Sequence, residues 1–491
     1  MNILLLYPRF PDTFWSFRHA LKFIRKKASS PPLGLLTVAA MLPAEWQLRL
    51  VDLNVSQLNP RDLEWADYAF ISAMTVQRAS AQKAIEACQQ AGVKIVAGGP
   101  LFTSEHETFP AVDHFVLNEA EITLPQFLAD LQAGQAQRVY ATDDYPDLQQ
   151  TPIPRWELVN FKHYATMDVQ YSRGCPYDCD FCNITALFGR RPRLKSGAQI
   201  IAELDRLYQL GWRGGIFFVD DNFIGNKKLL KQDLLPALIR WRQGKTGLLF
   251  STEVSINLVD DPELTMMMVA AGFTTVFIGI ETPSEASLAE CNKFQNKNRD
   301  LVESVKILQR AGLQVQGGFI VGFDSDSPGI FQQQLDFIQQ SGIVSAMVGL
   351  LQAPLGTRLY ARMQAERRLL PEISGNNVDG STNIVPKMGF ETLLTGYRQL
   401  LSQIYSPRLY YERMITFLKE YQPPRLRVAV SGEHLLALWL SIYHLGIRGV
   451  ERAYYWKLWL WVLSHRPRLF PNAITLAIYG YHFRRICELN G

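Results

Sequence analysis

Three of the six cysteines in the 491-residue chain lie within eight residues of one another, at Cys175, Cys179 and Cys182. The spacing Cys-x3-Cys-x2-Cys supplies three thiolates from one short loop, and cysteine thiolates are the ligands that hold iron–sulfur clusters. Three ligands suit a four-iron cluster whose fourth iron stays open for a substrate or cofactor, whereas structural zinc takes four ligands. Two alternatives remain: a zinc site with a distant fourth ligand, and three buried thiols that bind no metal.

Polar residues recur where predicted strands end downstream of the cysteine loop. Between residues 166 and 370 the sequence repeats a strand-then-helix unit six times, which predicts a partial (β/α)6 barrel because closure usually takes eight units. The carboxyl ends of barrel strands share one rim, and acidic groups there can bind ammonium or hydroxyl groups through charge-assisted hydrogen bonds. Helix N-capping is the alternative role for each of them. The candidates are Asp220, Asp221, Asn222, Glu253, Glu281 and Gly322.

Residues 1–135 alternate short apolar strands with amphipathic helices, which predicts a doubly wound, Rossmann-like α/β domain with a parallel sheet. The predicted strands are Asn2–Tyr7, Leu48–Asp52, Tyr68–Ser72, Lys94–Ala97 and His114–Leu117. Such sheets bind ligands at the carboxyl ends of their strands, and glycines there allow a ligand to approach the backbone. The candidate binding residues are Pro32, Leu33, Gly34, Asp52, Ser72, Gly98, Gly99 and Pro100, with ordinary turns as the alternative.

The predicted barrel strands fix where the second domain begins and ends. They are Met167–Ser172, Gly215–Val219, Leu249–Val254, Thr275–Ile280, Val315–Val321 and Ser345–Leu350. We therefore expect a linker at 136–165, which is rich in proline and lacks a period, the barrel at 166–375, and a helical region at 376–491. Aromatic, basic, amphipathic helices such as Glu451–Leu463 can lie on a membrane surface, or they can cap the barrel.

Composition narrows the class of protein. The formal net charge is only +4, and the mixed charges give no case for a nucleic-acid binder. The first residues predict a strand and not a signal peptide, and few, clustered cysteines indicate a reducing cytoplasm. Because no run of 18 apolar residues occurs, we expect no membrane span and at most peripheral membrane contact.

The cysteine loop, with Phe181 just before the last cysteine, resembles the motif of the radical S-adenosylmethionine (SAM) superfamily. The loops at Pro32–Gly34, Asp52 and Gly98–Pro100 resemble the cobalamin-binding domain that precedes many radical SAM barrels. No Asp-x-His-x-x-Gly occurs, so the resemblance implies cobalamin without an axial histidine. Matches such as Phe218-Val-Asp-Asp-Asn-Phe-Ile-Gly-Asn226 place the resemblance, which covers roughly residues 1–415, nearest the hopanoid C-2 methylase branch. The last hundred residues carry no usable resemblance.

The resemblance implies three cofactors and their ligands. The three cysteines would bind a [4Fe–4S] cluster that cleaves SAM. Phe181 and the six candidates of the barrel rim would bind SAM. The Asp220–Asn222 run stands where many members have Gly-Gly-Glu. The eight candidates of the first domain would hold cobalamin.

The implied reaction is methylation, by radical chemistry, of an unactivated carbon in a hydrophobic, lipid-like small molecule. The cofactors carry the hard steps, and no separate acid–base residue is implied. An electron donor such as flavodoxin or ferredoxin is implied as a partner. The alternatives are a cobalamin-dependent cyclisation or rearrangement, a radical SAM enzyme with a vestigial first domain, and a non-catalytic cobalamin or iron–sulfur sensor.

Overall fold

The computed structural model describes residues 1–371, 374–376, 378–424 and 432–490. Its first sheet has six parallel strands in the order β2-β1-β3-β4-β5-β6. The strands are β1 Asn2–Tyr7, β2 Gln47–Asp52, β3 Tyr68–Ser72, β4 Lys94–Gly98, β5 His114–Val116 and β6 Val139–Tyr140. The helices around it are Arg18–Leu21, Leu33–Met41, Pro60–Trp65, Arg78–Gln90, Pro100–Glu105 and Ala120–Gln132.

The first five strands lie within a residue or two of their predicted positions because both faces of the sheet are buried. Leu4 and Leu6 of β1 enter one apolar core, while Ile3 and Leu5 enter the core on the opposite face. Parallel strands covered on both faces have near-continuous apolar sequences, which makes them easy to recognise. Strand β6 lies inside the segment predicted as a linker; it has two residues, too few for a period, and is held by pairing with β5.

The second sheet has six parallel strands in the order β7-β10-β11-β12-β13-β14, as a partial barrel requires, and a separate antiparallel pair joins β8 to β9. The strands are β7 Thr166–Val169, β8 Ser172–Arg173, β9 Arg193–Leu194, β10 Gly215–Phe218, β11 Phe250–Glu253, β12 Phe273–Glu281, β13 Gln314–Val321 and β14 Ala346–Leu350. The helices are Ile184–Phe188, Gly197–Gln209, Lys227–Leu229, Leu235–Trp241, Pro262–Ala271, Glu285–Glu290, Leu301–Ala311, Ile330–Ser341 and Arg358–Ala365, with a π-helix at Leu230–Leu234.

Two predicted barrel elements are divided in the structure. The first strand, predicted as one element over Met167–Ser172, forms β7 and β8, because the Asp220 carboxylate accepts hydrogen bonds from the amides of Tyr171 and Ser172 and turns the chain. The helix that the strand-then-helix repeat predicts between β10 and β11 contains the π-helical turn, which ends two residues before Pro236. Proline has no amide proton to donate within a helix, so regular hydrogen bonding is interrupted there.

Helices form the C-terminal region and pack against the last barrel strand. They are Phe390–Ile404, Pro407–Glu420, Gly432–Ser441, Arg452–His465 and Phe470–Asn490, with a π-helix at Ile442–Ile447. The hydroxyl groups of Tyr397 and Tyr405 donate hydrogen bonds to the carbonyls of Val348 and Ala346 in β14, at 3.2 and 2.5 Å. No helix in the described part of the chain is both long enough and apolar enough to cross a membrane.

Candidate active site

The cysteine loop begins at β8 and is folded tightly against the segment that leads into β9. Gly174 has φ 91°, and a Cβ atom there would lie 3.0 Å from the carbonyl oxygens of Phe188 and Gly189. The amide of Cys175 donates to the Gly189 carbonyl at 3.3 Å, and the amide of Cys182 donates to the Cys179 carbonyl at 3.2 Å. Glycine at position 174 therefore allows the close backbone contact that starts the loop.

The three loop cysteines are half-buried free thiols. Burial raises the pKa of each, and that of Cys182 reaches about 12, so binding of iron must displace protons. Among the described residues, no three histidine, cysteine or acidic side chains converge on one metal-ion position. A four-iron cluster takes each thiolate on a different iron atom, so the chemistry and spacing of this donor set fit a cluster.

Two residues beside the cysteines, Lys293 and Gln295, were not predicted from the sequence. The Lys293 ammonium lies 2.7 Å from a carboxylate oxygen of Glu281, and Gln295 Nε2 lies 3.9 Å from Cys179 Sγ. In the described structure, the buried Gln295 Oε1 has no hydrogen-bond partner. Both residues are more than 100 positions from the cysteines in sequence, and only the neighbouring strand β12, which ends at Glu281, brings them close.

Asp220 is turned toward the chain that leads into the cysteine loop. Its carboxylate accepts hydrogen bonds from the Tyr171 amide, at 3.2 Å, and from the amide and hydroxyl groups of Ser172. Asp221 accepts a longer hydrogen bond from the Gly174 amide, at 3.4 Å. Burial raises the pKa of Asp220 to about 7 and that of Asp221 to about 6. Both carboxylates therefore hold the loop that carries the cysteines.

Asn222 connects the second and third barrel strands to the cysteine loop. Its Oδ1 accepts hydrogen bonds from the amide and hydroxyl of Ser255, at 3.2 and 3.3 Å. The Ser255 hydroxyl contacts Asn257, whose amide group donates to the Tyr177 hydroxyl in the loop at 2.7 Å. The buried Asn222 Nδ2 has no partner among the described residues, so it can donate a hydrogen bond to a ligand.

Glu253 is an acidic group with no ion pair or hydrogen bond to its carboxylate among the described residues. Burial raises its pKa to about 8, and repulsion from the Asp221 and Asp220 carboxylates adds to this effect. Glu281 ends the adjacent strand with φ 63°, and its carboxylate is paired with Lys293. An unpaired carboxyl group in such a setting becomes ionised when a cation binds beside it, which fits the ammonium and sulfonium groups of SAM.

Phe181 and Gly322 are brought close together at the far side of the loop. The Phe181 ring contacts Phe323 edge-on, with ring centroids 6.3 Å apart. The neighbouring Gly322 has φ 105°, and its amide donates to Asp326 at 2.9 Å. The loop of the first strand and the end of the fifth parallel barrel strand thus form one apolar wall.

The predicted cobalamin residues lie at the carboxyl edge of the first sheet, as expected for parallel strands. A Cβ on Gly98 would lie 2.6 Å from the Val116 carbonyl oxygen, and one on Gly99 would lie 2.7 Å from Ser72 Oγ. Strand packing therefore already requires glycine at both positions, with Pro100 starting the next helix. By contrast, a Cβ atom on Gly34, the exposed second residue of the helix Leu33–Met41, would meet no atom within 4 Å.

Asp52 has a different environment from the other residues of this group. Its buried carboxylate accepts hydrogen bonds from the Tyr164 hydroxyl, at 2.9 Å, and from Asn54. Tyr164 lies two residues before β7, so Asp52 connects the first sheet to the barrel. Nearby, Asp168 of β7 has a buried carboxylate oxygen without a partner in the described chain, and burial raises its pKa to about 7. Its position inside an apolar strand gave no sequence signal.

Comparison with known proteins agrees with this architecture. Family profiles described as a B12 binding domain, the Radical SAM superfamily and a domain of unknown function (DUF4070) match residues 25–128, 169–338 and 357–490. The third match covers the region for which the sequence carried no usable resemblance. The uncharacterized methyltransferase sll1242 of Synechocystis sp. is 39% identical over 100% of this chain and 92% of its own.

Two further comparisons extend over nearly the whole chain. The hopanoid C-2 methylase of Rhodopseudomonas palustris is 34% identical, covering 98% of this chain and 92% of its own. The solved structure of the cobalamin-dependent SAM radical enzyme OxsB with aqua-cobalamin bound has a TM-score of 0.60 and 14% identity, covering 99% of this chain and 83% of that one. The second comparison supports the fold alone.

This chain belongs to the family of radical SAM enzymes that carry an N-terminal B12-binding domain. The resemblance seen in the sequence is confirmed, as is the predicted α/β fold class. The protein is accordingly an enzyme whose cofactors are a [4Fe–4S] cluster, SAM and cobalamin.

Replacing one predicted cluster ligand tests the site directly. Cys182→Ala removes one of three thiolates, so we expect loss of cluster iron and of 5′-deoxyadenosine formation from SAM. Cys88→Ala, which changes a buried cysteine of the first domain, is the matched control and should retain both. Iron content, visible absorbance and 5′-deoxyadenosine would be measured after anaerobic reconstitution. SAM cleavage that persists in Cys182→Ala would disprove the cluster assignment.

Glu253→Gln should affect stability and SAM binding in opposite directions. The pKa of Glu253 is raised to about 8 in the folded protein from an ordinary value of 4.5, so folding loses stability as pH rises between those values. The variant should therefore unfold several degrees higher than the wild type at pH 8 without ligand. It should bind SAM about tenfold more weakly, because a charge-assisted hydrogen bond is lost. Equal SAM affinity by equilibrium dialysis would remove Glu253 from the site.

Proposed function

We propose that the enzyme transfers a methyl group to an unactivated carbon of a hydrophobic, polycyclic small molecule of the hopanoid type. The observation that carries this proposal is an aromatic pair in the barrel interior. The Trp15 ring packs on Phe277 with centroids 4.8 Å apart, although Trp15 is still 39% exposed. Phe277 lies beside Glu253 in the register of β11 and β12, so an apolar surface adjoins the proposed SAM site.

The direction of Phe277 follows from strand geometry. Its neighbours Val276 and Ile278 are fully buried in the main core, and successive side chains of a strand point to opposite faces. Phe277 therefore points to the interior, where Trp15 meets it. Trp15 belongs to the segment after β1, and the flanking Phe14 is buried against Tyr405 and Phe483 of the C-terminal region. The C-terminal region therefore supports the segment that carries Trp15.

In this proposal, each predicted residue has a role that its surroundings allow. The three loop cysteines bind the cluster, and Glu253, Asn222 and Glu281 face SAM, with Phe181 and Gly322 beside its adenine. Asp220 and Asp221 hold the loop. Pro32–Gly34, Ser72 and Gly98–Pro100 line the cobalamin site, and Asp52 orients its edge. When bound, the cluster and SAM supply a hydrogen-abstracting radical and cobalamin supplies methyl-transfer chemistry.

The names of two relatives support methyl transfer, since one is a hopanoid C-2 methylase and the other an uncharacterized methyltransferase. A cobalamin-dependent cyclisation or rearrangement is the second candidate function, because the same cofactors serve both.

The reaction also needs one electron per SAM cleaved, for which we propose a flavodoxin or ferredoxin. We keep the domain boundaries at residues 165 and 375 as part of this proposal, and we move the first boundary from residue 135 to residue 140 so that the first domain includes β6.

We also propose that the C-terminal helices rest on a membrane surface, from which an apolar substrate could be taken. Large apolar side chains on these helices are exposed, with Trp439 at 70% and Leu460 at 72%. Exposed Arg448, Arg452 and Lys457 lie among them and suit anionic lipid headgroups. The exposed set is Leu435, Trp439, Tyr443, Ile447, Val450, Trp456, Leu460 and Leu463.

The substrate proposal is tested with diploptene, a hopanoid, and SAM carrying a trideuterated methyl group. The reconstituted enzyme, given cobalamin and a reductant, should yield a product that is heavier by one labelled methyl group. Trp15→Ala should raise KM for diploptene about thirtyfold, since burying an aromatic side chain contributes about 2 kcal/mol, while Trp15→Phe should change it little. Unlabelled or ring-closed products from the wild type would favour cyclisation or rearrangement.

The membrane proposal is tested by co-sedimentation with vesicles that contain phosphatidylglycerol. The double variant Trp439→Ser/Leu460→Ser should bind these vesicles at least about tenfold more weakly than the wild type, because two exposed apolar side chains no longer enter the bilayer. Met266→Ser, which removes a 65% exposed apolar side chain from a barrel helix, is the matched control. Equal binding by all three proteins, or no binding by the wild type, would contradict the proposal.

A further inference from the structure

Four charged side chains join the first domain to the cysteine loop, and we call Glu119, Glu121, Arg173 and Arg193 the interdomain clamp. Arg173 holds Glu121 with two hydrogen bonds, at 2.8 and 3.0 Å, and also contacts Glu119 at 2.6 Å. Arg193 holds Glu119 with two more, at 2.6 and 3.0 Å. The Thr151 hydroxyl donates to Glu121 at 2.9 Å. Two carboxylates and two guanidinium groups therefore form one charge-balanced network.

The clamp connects the elements predicted to hold the two metal cofactors. Glu119 lies three residues after Val116 in β5, and Val116 is the register partner of Gly98 at the carboxyl edge of the first sheet. On the other side, Arg173 directly precedes Gly174 and Cys175, and it pairs across the antiparallel strands β8 and β9 with Arg193. Few residues separate the clamp from either proposed cofactor site.

The energetics favour a positional role over a stabilising one. The side chains are largely buried, and that of Glu119 is only 3% exposed. Burial alone would raise the pKa of Glu121, but the Arg173 guanidinium lowers that pKa below its ordinary value. Glu121 is thus ionised beside Arg173. Buried ion pairs are often no more stabilising than apolar residues of the same size, but the planar arginine fork fixes both distance and angle to a carboxylate.

We propose that the interdomain clamp sets the distance and orientation between bound cobalamin and the iron–sulfur cluster. This inference rests on the proposed function in taking Gly98–Pro100 as part of the cobalamin site and the three cysteines as cluster ligands. The four residues are positioning residues: they act through the elements that they join. When the two-pronged arginine–glutamate contacts are lost, each cofactor still binds, but the distance between cobalamin and the cluster is no longer fixed.

Arg193→Lys is the first test variant, because it keeps the charge and loses the two-pronged contact with Glu119. Glu119→Gln is the second, and Arg49→Lys is the matched control, since Arg49 pairs with Asp62 within the first domain. The holoenzyme would be prepared with cob(II)alamin and reduced cluster, and pulsed electron paramagnetic resonance would measure the distribution of distances between the two centres. Cobalamin affinity, 5′-deoxyadenosine and S-adenosylhomocysteine would be measured in parallel.

We expect a narrow distance distribution for the wild type and Arg49→Lys, and a broadened or shifted one for Arg193→Lys. Cobalamin affinity and 5′-deoxyadenosine formation should stay within about twofold of the wild type. Formation of S-adenosylhomocysteine should fall at least about tenfold, because a small misplacement of reacting groups slows a reaction strongly.

An unchanged distance distribution in both clamp variants would overturn the inference. If wild-type enzyme forms no S-adenosylhomocysteine, the proposed methyl transfer fails, whereas the distance measurement still decides the role of the clamp. If Glu119→Gln does not fold, Arg193→Lys alone decides it.

Discussion

Parallel sheets bind ligands at the carboxyl ends of their strands, and this constraint governs how the chain is arranged. A reaction that uses ligands of two such sheets requires the two sets of strand ends to meet. The Tyr164–Asp52 hydrogen bond and the Arg173–Glu119 ion pair both lie where the first sheet meets the barrel. All four residues lie in a strand or within three residues of one, so the connection is built close to the proposed sites.

Within the described part of the chain, buried acidic residues are of two kinds: those that pair with a cationic side chain, and those, such as Glu253, that do not. Glu119 and Glu281 have cationic partners close by, so their charges are balanced in the protein alone. Glu253 forms no ion pair among the described residues, and burial together with repulsion from Asp221 and Asp220 raises its pKa although Lys293 opposes the shift. A buried group of this kind is a common feature of functional sites. The balanced groups hold the structure, and the unbalanced group is the one that gains most when a cation binds.

The strands could be predicted from the sequence because apolar runs buried on both faces have a strong pattern, as β1 and β14 illustrate. The cysteine loop was visible because its ligands are adjacent in sequence. Lys293, Trp15 and the clamp arginines could not be predicted, since each reaches its partner only through tertiary packing. The two-residue strand β6 and the break after β7 also depend on contacts with distant residues.

The most direct test of the account is the stoichiometry of the two SAM-derived products in the anaerobic, reconstituted enzyme. If one chain brings radical formation and methyl transfer together, 5′-deoxyadenosine and S-adenosylhomocysteine should accumulate in equal amounts, one of each per methylated product. Formation of 5′-deoxyadenosine alone, with cobalamin bound, would contradict methyl transfer and favour a rearrangement or ring closure on the same scaffold.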